Sequence, residues 1–422
     1  MTRDTAKSTK ELILDSAFSF YENPVFRDFS MRELAAKVGV SKPAIYRHFT
    51  NKEAVVAAME ERVFDTMALY LQNVSDDIQT SKLPLARLIN YFVQNPSYIN
   101  YLIAQFSSNK SYERRIFDAL FSRNVLFSTG YSSIENYEKT IAEHPDCFVK
   151  QSYVGASIFF FVKVTEILLR RGDISVVPET YVQRLVDFLV SGLLHSTKSG
   201  DFFYPSAISD GRKAALQNLC AIGENMLPEE NRIFVAFANV IRKFKPSGVT
   251  VERIANELNM AKSSLYEYFA NKNEMIRQLV DNEIALLQTI ISENSVEAQN
   301  FTEYMFIMIW TIFEYFSKRP AVIPICGWLL MMNDSSLAES EKKYKSGDVR
   351  GGLDNRWAQR IPERVERPDL GVPFSARILV HWLGCLPIAL LIQSAGKGWS
   401  DEKQREGISI LLDFIVNGIK NT

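Results

Sequence analysis

The chain is poor in the residues from which catalytic and metal sites are made. Its 422 residues hold four histidines, His48, His144, His195 and His381, far apart in sequence. The four cysteines, Cys147, Cys220, Cys326 and Cys385, form no C-x-x-C pair. Such spacing suits reduced, cytoplasmic thiols better than a disulfide framework or a zinc site. No glycine-rich phosphate loop follows a strand pattern and no nucleophile elbow occurs, so neither an enzyme nor a cofactor nor a metal is expected. A net charge of −1 excludes a chain that coats polyanions through bulk charge, and any such contact has to come from local Lys and Arg clusters. The start of the chain lacks an apolar segment, so no secretory signal is expected. The longest apolar run, residues 378–392, contains His381 and reads as a buried helix rather than a membrane span. What remains is a composition of 47% apolar and 23% charged residues, typical of a soluble globular protein, and length enough for two or more domains.

What the chain does have is an internal repeat. Residues 29–54 read FSMRELAAKVGVSKPAIYRHFTNKEA, and residues 249–274 read VTVERIANELNMAKSSLYEYFANKNE, displaced by 220 positions without a gap. Identity is confined to Ala35/Ala255, Lys42/Lys262, Tyr46/Tyr266, Phe49/Phe269, Asn51/Asn271 and Lys52/Lys272. The apolar positions match in kind: Met31/Val251, Leu34/Ile254, Val38/Leu258 and Ile45/Leu265. A repeat of this sort sets the architecture before any local reading does. It recurs at the ends of the halves, where DFLVSGL at 187–193 is matched by DFIVNGI at 413–419.

The repeated stretch has the physics of a helix-turn-helix. Ser30 and Thr250 are N-caps, and Glu33 completes a capping-box spacing with Ser30. Gly39 stands where the chain turns through a left-handed conformation, and Asn259, the next most tolerant residue, replaces it in the second copy. Ser41 caps a second short helix. That helix carries Lys42, Ala44, Tyr46 and Arg47 outward and packs Ile45 and Phe49 inward. Asn51 and Asn271 cap a third helix that opens on Lys52 or Lys272, a placement that suits a phosphate oxygen. Both copies resemble the DNA-binding head of the TetR family of transcriptional regulators. The second copy departs at Asn259 for Gly, Ala261 for Ser and Asn273 for Glu.

The resemblance implies an all-α fold with two TetR-like units in tandem, arranged as an intrachain pseudo-dimer. The expected layout is a first head over 1–54, a helical regulatory domain over 55–200 and a linker over 201–228. A second head over 229–274 and a second regulatory domain over 275–422 complete it. The first helix is expected over 11–21, with Ile13, Ala17 and Phe20 inward. Its counterpart over 231–244 places Ile233, Phe237 and Val240 inward. A helix is expected within the linker from Arg212 to Ile222. The stretch 343–356 reads as a surface loop.

The function implied is sequence-specific binding of a double-stranded DNA operator, with release by a small apolar or aromatic effector. In the first head Lys42, Ala44 and Arg47 are the expected base readers, while Tyr46, His48 and Lys52 hold phosphates. In the second, Lys262, Ser263, Ser264 and Glu267 read, and Tyr266, Tyr268 and Lys272 hold phosphates. Glu267 either accepts from a cytosine amino group or faces solvent. Acidic residues Glu224, Glu229 and Glu230 precede the second head where Arg3, Lys7 and Lys10 precede the first. In the family the last two helices of each subunit pair into a four-helix bundle. Here 150–171 and 178–196 pair with 374–395 and 401–419, with Leu185, Phe188, Leu189, Leu411, Phe414 and Ile415 at the contact. Effector candidates are Tyr98, Tyr101, Phe106, Phe117, Phe121 and Phe127 in one half, and Trp310, Phe313, Glu314, Trp328 and His381 in the other. An aromatic stripe at helical spacing serves equally as core.

Overall fold

A computed structural model describes residues 8–22, 29–72, 83–108, 112–123, 134–171, 174, 179–195, 207–223, 226–244, 248–267, 269, 271–325, 361–362, 365 and 375–419. Every regular element among these residues is a helix. In the first half they are α1 (Thr9–Phe18, continued by a 3-10 turn Ser19–Tyr21), α2 (Met31–Val38), α3 (Lys42–Tyr46), α4 (Lys52–Gln72), α5 (Leu83–Gln94), α6 (Pro96–Ser108), α7 (Tyr112–Ser122), α8 (Ile134–Glu143), α9 (Pro145–Arg171) and α10 (Glu179–His195). The linker contributes α11 (Asp210–Cys220). The second half gives α12 (Arg232–Phe244), α13 (Val251–Glu257), α14 (Lys262–Tyr266), α15 (Lys272–Asn294), α16 (Phe301–Lys318), α17 (Ala376–Gly396) and α18 (Asp401–Asn417).

The chain divides into two compact units, and the division does not follow the repeat. One holds the described residues up to Tyr137; the other holds those from Glu138 onward, so α9 and α10 group with the second half. The reason lies in their partners: α9 packs along α17 and α18, and α10 along α18.

Within the first unit, α4 carries the head into the helical body. On one side Arg62 of α4 bonds Asp15 of α1 at 2.5 Å. On the other, Arg115 of α7 meets the buried Glu60 at 2.5 Å. Arg123, just past the end of α7, bonds Glu61 and Asp65, the latter at 2.8 Å. Tyr101 and Asn100 of α6 fasten the same joint, donating to Val56 O at 3.3 Å and Tyr21 O at 2.8 Å.

The second unit is built around α16, whose sequence FTEYMFIMIWTIFEYFSK is apolar on every side. All residues from Phe301 to Phe316 are buried. A helix buried all round has to be wrapped, and α11, α15, α17 and α18 do so. The linker is thus part of the second core rather than a tether beside it. Its helix runs Asp210–Cys220, where the sequence suggests Arg212 to Ile222, because Ser209 accepts from Arg212 N and caps it two residues earlier. Leu216, Cys220 and Ile222 are buried, and Arg212 forks onto Glu303 at 3.0 and 2.8 Å. The hydrogen bond from Arg212 holds the Glu303 carboxyl below the usual carboxylate range.

Helices α9, α10, α17 and α18 form a four-helix bundle inside one chain. Trp382 of α17 is its centre: the indole Nε1 donates to Ser157 Oγ of α9 at 3.0 Å, and the ring lies against Tyr153, Phe161 and Phe188. Leu185, Phe188, Leu189, Leu411, Phe414 and Ile415 are all buried. Where α10 meets α18 two equivalent glycines face each other. Gly192 has φ 70° and ψ 179°, and Gly418 φ 76° and ψ 175°. A Cβ on Gly192 stands 2.5 Å from Val416 O, and one on Gly418 stands 2.5 Å from Gly192 N. Backbone lies on backbone there. Two helical segments, Pro145–Glu166 and Ile378–Gly396, are long and apolar enough to cross a bilayer by composition alone. The sequence run alone is shorter, but helical phasing extends it past Ile392. Both belong to this bundle and present Ser157 and Trp382 to one another.

Candidate nucleic-acid interface

In the first head, α2 opens on a capping box in which Ser30 Oγ accepts from Glu33 N at 3.2 Å and Glu33 accepts from Ser30 N at 2.9 Å. It closes on Gly39 at φ 79°, whose N–H bonds Ala35 O. Ser41 then caps α3 by accepting from Ala44 N at 3.4 Å, and Pro43 fits the first turn, where no intrahelical donor is needed. Ile45 and Phe49 are buried beneath, as are Phe29, Met31, Leu34 and Ala35. Asn51 accepts from Ala54 N at 2.8 Å and starts α4. Burying one face of so short a helix leaves the other to solvent: Lys42, Tyr46, Arg47 and His48 are exposed and Ala44 is half-buried. Lys42 Nζ rests 5.7 Å from the Tyr46 ring, and the half-buried Lys52 rests 5.3 Å from the Phe29 ring.

The second head repeats the geometry with different chemistry. Thr250 accepts from Arg253 N at 3.2 Å. Asn259 stands at φ 53°, the one non-glycine with positive φ among the described residues. Ala261 begins α14 without a side-chain cap, unlike Ser41. Leu265 is buried, Lys262, Ser263, Tyr266 and Glu267 are exposed, and Ser264 is half-buried. The Lys–Tyr pairing recurs, with Lys262 Nζ 5.9 Å from the Tyr266 ring. Lys272 is the first residue of α15, but its side chain lies outside the described residues, as does Tyr268 altogether. The first helices differ in their bounds. α12 begins and ends three residues later than a shift of 220 from Thr9–Tyr21 places it, and the following loop is shorter. Phe234, Phe237, Val240 and Ile241 lie on its buried face, while Ile233, like Phe20 in the first head, is half-buried at the flank.

Two segments of the chain, residues 13–59 and 239–279, match the family described as bacterial regulatory proteins, tetR family. Both heads belong to the tetR family. The matched segments are the DNA-binding heads of a family of regulators, and that likeness supports a DNA-binding regulator. Similar proteins agree. The uncharacterized HTH-type transcriptional regulator YxbF of Bacillus subtilis is 18% identical over 285 residues, covering 66% of this chain and 68% of its own. YerO of the same organism, likewise an uncharacterized HTH-type transcriptional regulator, is 23% identical over 243 residues, 52% of this chain and 79% of its own. Both matches are longer than either half of the repeat. The nucleoid occlusion factor SlmA of Haemophilus ducreyi is 27% identical over 100 residues, 24% of this chain and 50% of its own.

The effector candidates behind the tetR-type heads fall in different settings. Tyr101 is fully buried against Phe18 and Tyr21, so it welds α6 to the first head. Tyr98 lies against Phe18 and Tyr91. The side chains of Phe106, Phe117 and Phe121 lie outside the described residues, as do Phe127 and Trp328 altogether. Phe313 and Trp310 pack edge to face at 5.5 Å in the core of the second unit. Glu314 is buried and bonded to Arg405 of α18, and His381 is half-buried on α17. The loop expected at 343–356 also lies outside the described residues. Sequence reasoning passed over Ser157, Gly192 and Gly418. The aligned DFLVSGL and DFIVNGI segments held the signal for the glycines, since a residue kept at one register in two otherwise divergent helices points to a backbone requirement.

Proposed function

We propose that the protein is a transcriptional regulator, a repressor by default, that reads an asymmetric DNA operator with two unlike heads. The observation that carries this is the pair of exposed reading helices, α3 and α14, on halves joined through one bundle. A symmetric dimer presents identical heads and reads a palindrome; this chain presents Lys42, Ala44 and Arg47 on one and Lys262, Ser263, Ser264 and Glu267 on the other. In the bound state the half-sites stand about 34–36 Å apart, one helical turn. Arg47 forks onto a guanine, and Glu267 accepts from a cytosine amino group. Tyr46, His48 and Lys52, with Tyr266, Tyr268 and Lys272, hold phosphates and set orientation. Linking the halves replaces free concentration by an effective one on the order of mM, so the two-headed form persists at dilution.

A small, largely apolar effector releases the DNA by shifting the population between competent and incompetent head placements. Trp310 supports a site in the second half: its indole Nε1 is buried and has no hydrogen-bond partner among the described residues. A buried donor of that kind calls for an acceptor that the described residues do not supply. Selection of bound fragments from random duplex DNA tests the reading, with unlike ends expected in the preferred site. One competing reading, a scaffold or partner-binding protein in which one or both heads no longer bind DNA, draws on the uncapped Ala261 and on Glu267. A shift assay with Lys42→Ala and Lys262→Ala separates the two: loss in neither variant favours the scaffold, and loss in the Lys42 variant alone leaves only the first head on DNA.

A further inference from the structure

The two helix-turn-helix segments carry opposite charge. From Met31 to Arg47 there are four basic residues against one acidic, a net +3; from Val251 to Glu267 there are two basic against three acidic, a net −1. The change is concentrated at three aligned positions: Arg32 becomes Glu252, Lys37 becomes Glu257 and Arg47 becomes Glu267. Arg32, Lys37 and Arg47 are exposed, as are Glu252 and Glu267. Arg32 lies in the first turn of α2, beside the Ser30 cap.

Three cations of the second head are exposed but already partnered. Lys243 bonds Glu257 at 2.6 Å. Arg253 donates to Gly248 O at 2.5 Å and lies over the Phe244 ring, and Arg242 donates to Pro320 O at 3.0 Å. In the first head Arg32 and Arg47 have no carboxylate partner among the described residues, and Lys37 rests on the Phe20 ring.

We propose that Arg32 and Lys37 extend the phosphate-contacting set of the first head, and that Glu252 and Glu267 make the second head discriminate rather than anchor. The first head then carries the sequence-independent affinity. The second, pushed from phosphate by its carboxylates, engages only where a base contact offsets that repulsion, such as a cytosine amino group at Glu267. This rests on the operator reading above. On non-specific DNA the chain is held by one head, which leaves the other free to sample.

The experiment measures the dependence of binding on salt for a non-specific duplex with the full chain. Each phosphate neutralised contributes a slope of about 0.9 in log K against log salt. Arg32→Gln lowers the slope by about one unit. The double variant E252R/E267R raises it by about one to two units and tightens non-specific binding at low salt. All three positions are exposed, so the variants fold. An unchanged slope in Arg32→Gln, or in the double variant, overturns the inference. If the unmodified chain shows no salt-dependent binding to any duplex, the operator reading itself falls.

Discussion

Replacing Gly192 by alanine attacks the contact that joins the halves at its tightest point. Two costs add. At φ 70° and ψ 179° the backbone occupies a region open to glycine alone, which costs about 1–3 kcal/mol for a residue with a Cβ. The new methyl then meets Val416 O and the Asn417 carbonyl carbon at 2.5 and 2.6 Å. These are backbone atoms, so no rotamer change relieves the overlap, and overpacking adds about 1–3 kcal/mol. The sum of about 2–6 kcal/mol is a large share of the roughly 5–15 kcal/mol that holds a domain folded. Two other glycines separate the terms. Gly39 has φ 79° but nothing within 4 Å of a Cβ, so Gly39→Ala carries strain alone, about 1–2 kcal/mol. Gly155 is exposed within α9 with open space around it, so Gly155→Ala gains up to about 1 kcal/mol. Urea unfolding with matched slopes ranks the three variants. A Gly192→Ala loss no greater than that of Gly39→Ala refutes the backbone contact between α10 and α18.

Other expectations concern the joints and caps. Arg212→Ala leaves the buried Glu303 carboxylate unpaired and lowers stability by about 1.5–3 kcal/mol. Because Arg212 lowers the Glu303 pKa from 4.5, that stabilisation is complete above the unfolded value and is lost as the pH falls below it. Melting temperature followed from pH 7 into acid therefore shows a shallower acid limb in the variant. Ala261→Ser supplies the cap that α14 lacks and strengthens the second head by about 0.5–1 kcal/mol, and Ser41→Ala weakens the first by a similar amount. Amide exchange in α14 and α3 reports each change. Lys52→Ala reduces the salt slope of DNA binding by about one unit without altering sequence preference, which selection from random duplexes checks.

The heads were legible because short-range chemistry specifies them. A capping Ser with Glu three residues on, a left-handed turn at Gly39 or Asn259, and Ile45 or Leu265 on the inner face of a short helix are all local. The bundle was legible through repetition, since Phe188 and Phe414 head matching segments and both prove buried. Long-range facts were not. Arg212 and Glu303 are 91 residues apart, and nothing near either names the other. That is why α11 read as a linker rather than a wall of the second core. In α12 Phe237 and Val240 are buried as the sequence suggests, and only Ile233 gives way to its neighbour Phe234 at the inner face. The Tyr101 ring looked like a pocket wall because aromatic residues at helical spacing mark a core and a cavity alike.

The central claim is that one polypeptide does the work of a pair. The mass of the complex formed at nanomolar concentration on a selected duplex tests it most directly, combined with a footprint of the same complex. One chain per duplex, protecting two unlike half-sites one helical turn apart, is the expected result. Two chains per duplex over a symmetric footprint would contradict the account.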